Sequence, residues 1–209
     1  MRRVRKQIPC SDTKGFRKHA KAAEATLAAI DAVHGDGKLE QIPLKVSRSK
    51  ASRGYYGARA NKAVEIGVGG HLSTPQAKAN IAHEVGHWID HMGITPGHYA
   101  SETPNSPLAA VMDAIDKTPE IASLKADAKL PVGTGQYVRY SLTGKERFAR
   151  AYAQFIATHG GDPELAAEIA ARTVPGKNVR IDTQWKAESF KPVSDAMVAA
   201  FKTMGWIHA

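Results

Sequence analysis

Residues 83 to 87 read His-Glu-Val-Gly-His inside a stretch, Pro75 to Met92, whose periodicity predicts a helix. Ala77, Ala79, Ile81 and Ala82 before the motif, and Val85, Trp88 and Ile89 in and after it, make the stretch apolar enough for a largely buried helix. Positions i and i+4 lie one turn apart on the same side of a helix, so His83 and His87 enter the interior together, with Glu84 beside them. Two unpaired histidines would be costly to desolvate there, which counts against a pair that is merely solvated or hydrogen-bonded. With nine histidines in 209 residues, chance produces this spacing about 0.02 times, too rarely for coincidence to be the first explanation.

Two imidazoles one turn apart can both ligate one tetrahedral metal ion. Glu84, one position after the first of them, can reach a water at such a centre without ligating, which is what a general base for hydrolysis needs. A catalytic zinc usually takes three protein ligands and a water, so one ligand is missing from the motif. Some zinc peptidases find it six residues after the second histidine, past a glycine turn at the third. Here those positions are Gly93 and Asp90, which disfavours that class. His91 lies two turns from His83, about 12 Å along a straight helix, and is read as a surface or supporting residue. His98 is read as a loop histidine, and neither Glu102 nor Glu120 opens an obviously buried helix. Glu146 does, since Phe148, Tyr152, Phe155 and Ile156 follow at core spacing. On spacing alone Glu146 is either a ligand or a first-turn carboxylate favoured by the helix dipole.

His-Glu-Val-Gly-His-Trp-Ile-Asp at 83–90, then Tyr140, Thr143 and Glu146-Arg-Phe-Ala-Arg-Ala-Tyr at 146–152, resembles the gluzincin branch of the zincin metallopeptidases typified by the anthrax lethal factor catalytic domain. The similarity to metallopeptidase-like domains encoded by bacteriophages and mobile elements is closer still. It spans roughly Tyr55 to Phe155, and 185–206 is similar to the tails of the phage-type domains. The resemblance implies a zinc-dependent endopeptidase with zinc on His83, His87 and Glu146, and with Glu84 as the base. A tyrosine serving the oxyanion maps to Tyr140, with Tyr137 as the competing position. It also implies a mainly helical α+β, zincin-like fold with a small mixed or antiparallel sheet beside the metal helix. The strand before that helix, Val64–Val68, would form the cleft edge, with a peptide pairing antiparallel to it. Asp90 is expected either to steady a ligand or neighbouring helix or to lie solvated.

Lys and Arg exceed Asp and Glu by 29 to 20, giving a net charge of +9. Nucleic acid is therefore an alternative partner, but the basic residues are dispersed and no binding motif accompanies them, so a solvated surface is favoured. A zincin fold used as a binding or virion-structural module is the other alternative. The basic opening carries no apolar run, which predicts no secretory signal, and no stretch approaches the ~18 apolar residues of a membrane span. The expected location is cytoplasmic or virion-associated. The single Cys10 excludes an intramolecular disulfide. Residues 1–50 are read as an N-terminal helix and first strand packed on a catalytic region at 51–209, within one domain overall.

Along the chain, the pattern predicts a helix at Lys14–Val33, a strand at Ile42–Val46, and a hairpin whose arms flank Ala60-Asn61-Lys62. Ser73 or Thr74 should cap the metal helix, with Pro75 in its first turn. Leu108–Ile115 and Pro119–Ala128 are expected to be short helices. Pro131–Gly135 reads as a turn, and Tyr137–Leu142 as extended or irregular. Thr143 is expected to cap a helix at Lys145–Thr158 and Asp162 one through Thr173, and the last helix should span Pro192–Met204.

Overall fold

The computed structural model describes residues 17–34, 41–129, 134–173 and 184–207. Cys10, the start of the first predicted helix, the turn at 35–37 and most of the turn at 131–135 lie outside the described residues. The architecture is mainly helical α+β with one three-stranded mixed sheet. Helix α1 (Arg17–Val33) buries Ala22, Ala23, Leu27 and Ile30 along one stripe. Strands β1 (Leu44–Ser47), β2 (Gly54–Arg59) and β3 (Lys62–Gly69) follow. Ala60 and Asn61 alone join β2 to β3, both in the left-handed region at φ 49° and 59°, the backbone that a two-residue hairpin turn demands.

The strand order β1-β3-β2 overturns one expectation. Val64–Val68 belongs to the central strand, with Leu44–Ser47 paired parallel to Ile66–Gly69 on one side and Gly54–Arg59 antiparallel on the other. Most of its backbone polar groups are therefore already committed. The free edge nearest the metal helix is β2. Alternation of apolar residues marks a strand but carries no information about which neighbours it acquires, and the parallel partner lies twenty-two positions back.

Helix α2 (Thr74–Trp88) starts where the sequence says it should. Ser73 Oγ accepts from the Gln76 amide while the Gln76 side chain accepts from the Ser73 amide, and Pro75 occupies the first turn. Nearly every residue from Ala77 to Trp88 is buried. The helix then loosens into a π-helical turn, Ile89–Ile94, before a short 3-10 turn at Ala100–Glu102. Helices α3 (Ala109–Asp116) and α4 (Pro119–Asp127) match their predictions closely.

Helix α5 (Thr134–Ser141) replaces the predicted extended segment. Tyr137, Val138 and Tyr140 locally favour a strand, but the helix buries Val138 against the core while leaving both tyrosines half exposed. Helix α6 (Gly144–His159) is the central element, buried on almost all sides. Thr143 stands at its N-cap without capping it, because its hydroxyl donates to the Tyr140 carbonyl. Asp162 does cap α7 (Pro163–Ala170), accepting from the amides of Glu164 and Leu165, and it also takes Lys78 of α2 at 2.7 Å. Helix α8 (Ala187–Thr203) begins five residues earlier than predicted and carries Pro192 within it. Just before α8, Trp185 is locked to α6. Its amide donates to Gln154 Oε1 at 3.0 Å, and its carbonyl accepts from Gln154 Nε2 at 2.8 Å. The indole donates to Thr118 at 2.9 Å.

His34, at the end of α1, is sealed among Tyr152, Phe155, Phe201 and Trp206, with its ring stacked on Tyr152 at 5.7 Å. Burial pushes its pKa down to about 4, only partly opposed by the nearby Trp206 backbone. The unfolded chain takes up that proton near pH 6.5, whereas the folded chain resists until about 4. Stability should therefore fall as pH drops through this window, by roughly 3 kcal/mol. Urea midpoints at pH 7 and pH 4 test this. A His34→Phe variant should lose that much less than wild type across the window, and an equal loss in both proteins would exclude His34 as the cause.

Candidate metal centre

Helices α2 and α6 cross where α2 carries a glycine. A Cβ on Gly86 would lie 3.0 Å from the Ala149 Cα and 3.1 Å from the Tyr152 Cβ, so the two backbones approach as closely as Gly86 permits. That contact sets the faces of His83 and His87 against the first turn of α6, where Glu146 points inward. The His83 and His87 Nε2 atoms are 3.2 Å apart. The Glu146 carboxylate bridges them, with Oε2 at 3.5 Å from His83 and Oε1 at 3.0 Å from His87. Three ligands about 2.05 Å from one tetrahedral ion lie about 3.3 Å from each other. The observed triangle matches that edge within a few tenths of an ångström. Two imidazoles and a carboxylate form a donor set suited to zinc, and one cation would satisfy all three converging groups.

Glu84 sits beside the triangle. The nearest ligand-capable atoms of His83, Glu84 and His87 lie within 4.8 Å of one another, yet Glu84 is held away by Asn80, whose Nδ2 donates to its Oε1 at 3.1 Å. Burial pushes the Glu84 carboxyl up, against the pull of both histidines. For Glu146 burial acts in the same sense, but hydrogen bonds from His83 and His87 outweigh it and hold the carboxyl well below the usual range. His87 is displaced downward by burial and upward by Glu146, and the carboxylate prevails. Two carboxylates and two imidazoles on two helices thus act on one another electrostatically.

Of the two candidate tyrosines, Tyr140 is the one at the site. Its hydroxyl donates to Glu146 Oε1 at 2.5 Å, and the ring is 52% exposed at the mouth. Tyr137, nearly one turn earlier on α5, is similarly exposed. Arg150 fixes α5 relative to α6. Buried on α6, it donates through Nε to the Glu146 carbonyl and through Nη2 to the Ser141 carbonyl at 2.7 Å.

Asp90 is fully buried, which removes the solvated alternative. It accepts from the Ser101 amide at 2.8 Å and the Ser101 hydroxyl at 2.5 Å. Burial raises its pKa to about 6 despite those two donors. The loop so clamped presses on the start of α6, since a Cβ on Gly144 would meet the Ser101 carbonyl at 2.8 Å. Asp90 thereby steadies the turn that carries Glu146. His91 is also buried rather than on the surface. Its Nδ1 shares a 2.8 Å hydrogen bond with the Tyr56 hydroxyl of β2, and its ring stacks on Tyr99 at 4.9 Å. Both residues lie in the π-helical turn, whose angular step differs from that of the straight helix before it.

Asn80, Ser101 and Arg150 escaped the sequence reading. Asn80 was findable, because it stands one turn before Glu84. Nothing local marks Ser101 or Arg150, whose roles depend on contacts across the fold.

Comparisons with protein-family models, with curated proteins and with solved structures each returned no match.

Proposed function

We propose that the chain is a zinc-dependent peptidase that hydrolyses peptide bonds, with His83, His87 and Glu146 holding the metal and Glu84 acting as general base. The observation that carries this reading is the triangle of His83, His87 and Glu146 atoms with edges of 3.2, 3.5 and 3.0 Å, flanked by the Glu84 carboxylate within 4.8 Å of both histidines. A purely structural metal site has no use for such a carboxylate. Zinc bound there would supply Lewis acidity, lowering the pKa of water and polarising a carbonyl.

The protein's own groups carry the proton. Asn80 keeps Glu84 Oε1 engaged, so Oε2 takes the proton from water and later returns it to the leaving amine. Tyr140 is placed to donate to a developing oxyanion once its hydroxyl turns from Glu146, a contact of a kind worth a few kcal/mol when preorganised. Because β3 is central, the substrate strand is assigned to the outer edge of β2. That strand lies along α2, with Gly54 packed against Asn80 and Tyr56 bonded to His91, so its edge borders the site.

Metal analysis tests the reading. Wild type should hold one zinc per chain and cleave peptides in a chelator-sensitive way, while His83→Ala and Glu146→Ala should each lose at least about 100-fold in zinc affinity. Undiminished affinity in Glu146→Ala would refute the third ligand. A wild-type protein that binds no zinc under metal-replete conditions would overturn the whole proposal.

A further inference from the structure

The sheet that borders the site, with the loops joining its strands, carries a strong excess of positive charge. Between Gln41 and Val64 the chain has six Lys or Arg residues and no Asp or Glu, and all six basic side chains are exposed. The three strands contain a single carboxylate, Glu65, and it is internally satisfied. Lys45 reaches it at 2.6 Å and the Tyr55 hydroxyl donates to it at 2.5 Å. Arg48, Lys50, Arg53, Arg59 and Lys62 have no ion-pair partner among the described residues. Two of them bracket β2, with Arg53 immediately before it and Arg59 as its last residue. Six residues of strand span about 20 Å, so a peptide paired along this edge would pass one unpaired guanidinium at each end.

A second observation falls on the same ground. The exposed large hydrophobic side chains among the described residues are Tyr55, Val64, Tyr137 and Tyr140, on β2, β3 and α5. Apolar surface concentrated beside a polar site is the usual mark of a ligand platform rather than of scattered exposure.

From this charge complementarity we infer that the occupant of the β2 edge is an extended acidic peptide, with carboxylates on both sides of the bond presented to the site. The inference rests on the peptidase reading and names its substrate class. Main-chain pairing along β2 supplies affinity without regard to sequence, and Arg53 and Arg59 select for negative charge and against positive. A nucleic acid would satisfy the same charges but would make no use of an unpaired strand edge.

Binding to the Glu84→Gln protein, measured with two labelled 12-residue peptides that share an apolar centre and differ only in acidic or basic flanks, decides the matter. The acidic peptide should bind at least about tenfold tighter at low salt, and the gap should close near 0.5 M salt. An Arg53→Glu/Arg59→Glu double variant should weaken the acidic peptide about tenfold while its melting temperature and zinc content stay at wild-type values. Equal binding of the two peptides, or a preference for the basic one, overturns the inference. So does a duplex oligonucleotide that displaces the acidic peptide at lower concentration than unlabelled acidic peptide does. These outcomes are separable from failure of the peptidase reading, which would show as absent zinc whatever the peptide preference. Equal cleavage of both peptides by wild type would keep the peptidase and discard the acidic specificity.

Discussion

Glu84→Gln should leave one zinc bound per chain and lower the rate of peptide hydrolysis by roughly a thousandfold, within the 10²–10⁴ that a positioned proton acceptor contributes. The amide matches the carboxylate in shape and can still accept from Asn80 Nδ2, so packing on this buried face is preserved. What it cannot do is take a proton. Because Glu84 lies outside the triangle of His83, His87 and Glu146, metal content should be unchanged, and the loss should fall on kcat rather than KM. Paired measurements of zinc stoichiometry and steady-state kinetics separate the possibilities. A variant that keeps a tenth or more of wild-type kcat would show that another group accepts the proton, and one that loses its zinc would make Glu84 a ligand.

The second large effect is expected at Gly86. Alanine there gains about 1 kcal/mol in helix propensity but puts its methyl group against the Ala149 Cα at 3.0 Å and the Tyr152 Cβ at 3.1 Å. Backbone cannot swing aside as a side-chain tip can. Valine adds two further carbons at the same crossing, and overpacking of this kind costs about 1–3 kcal/mol. Relief has to come from parting α2 and α6, which moves Glu146 off the two histidines. Gly86→Val should therefore lower both the melting temperature and the zinc affinity, the latter by at least about tenfold. Stability lost with zinc affinity intact would mean that the helices repack without disturbing the site.

His83, Glu84 and His87 were readable in the sequence because one helical turn fixes their geometry, and Ser73, Gln76 and Pro75 fix where that turn begins. Glu146 was not derivable in this way. Its approach to His87 spans fifty-nine positions and depends on a helix crossing, so spacing left it balanced against an ordinary first-turn carboxylate, and only a resemblance preferred ligation. The sheet itself was legible, but the central place of Val64–Val68 within it was not, for a related reason. The period of β3 was plain, but its rank among the strands depends on the parallel partner Leu44–Ser47, which no local pattern announces. At α5, residue preference pointed to a strand and tertiary packing of Val138 prevailed. At Asp90 and His91 burial decides between alternatives that spacing leaves open, because it depends on the loop at Tyr99–Ser101 folding over the π-helical turn.

The tether between Trp185 and Gln154 has a consequence for the order of synthesis. Gln154 and Glu146 share α6, and the tryptophan that fastens to α6, with α8 close behind it, is encoded some forty residues after Glu146. At translation rates of about 5–20 residues per second, a nascent chain that already holds all three candidate ligands waits seconds before α6 can be covered. During that interval Phe155 has no Phe201 to pack against. The face of α6 that carries Gln154 and Phe155 is therefore closed late in synthesis, after the candidate ligands have been made.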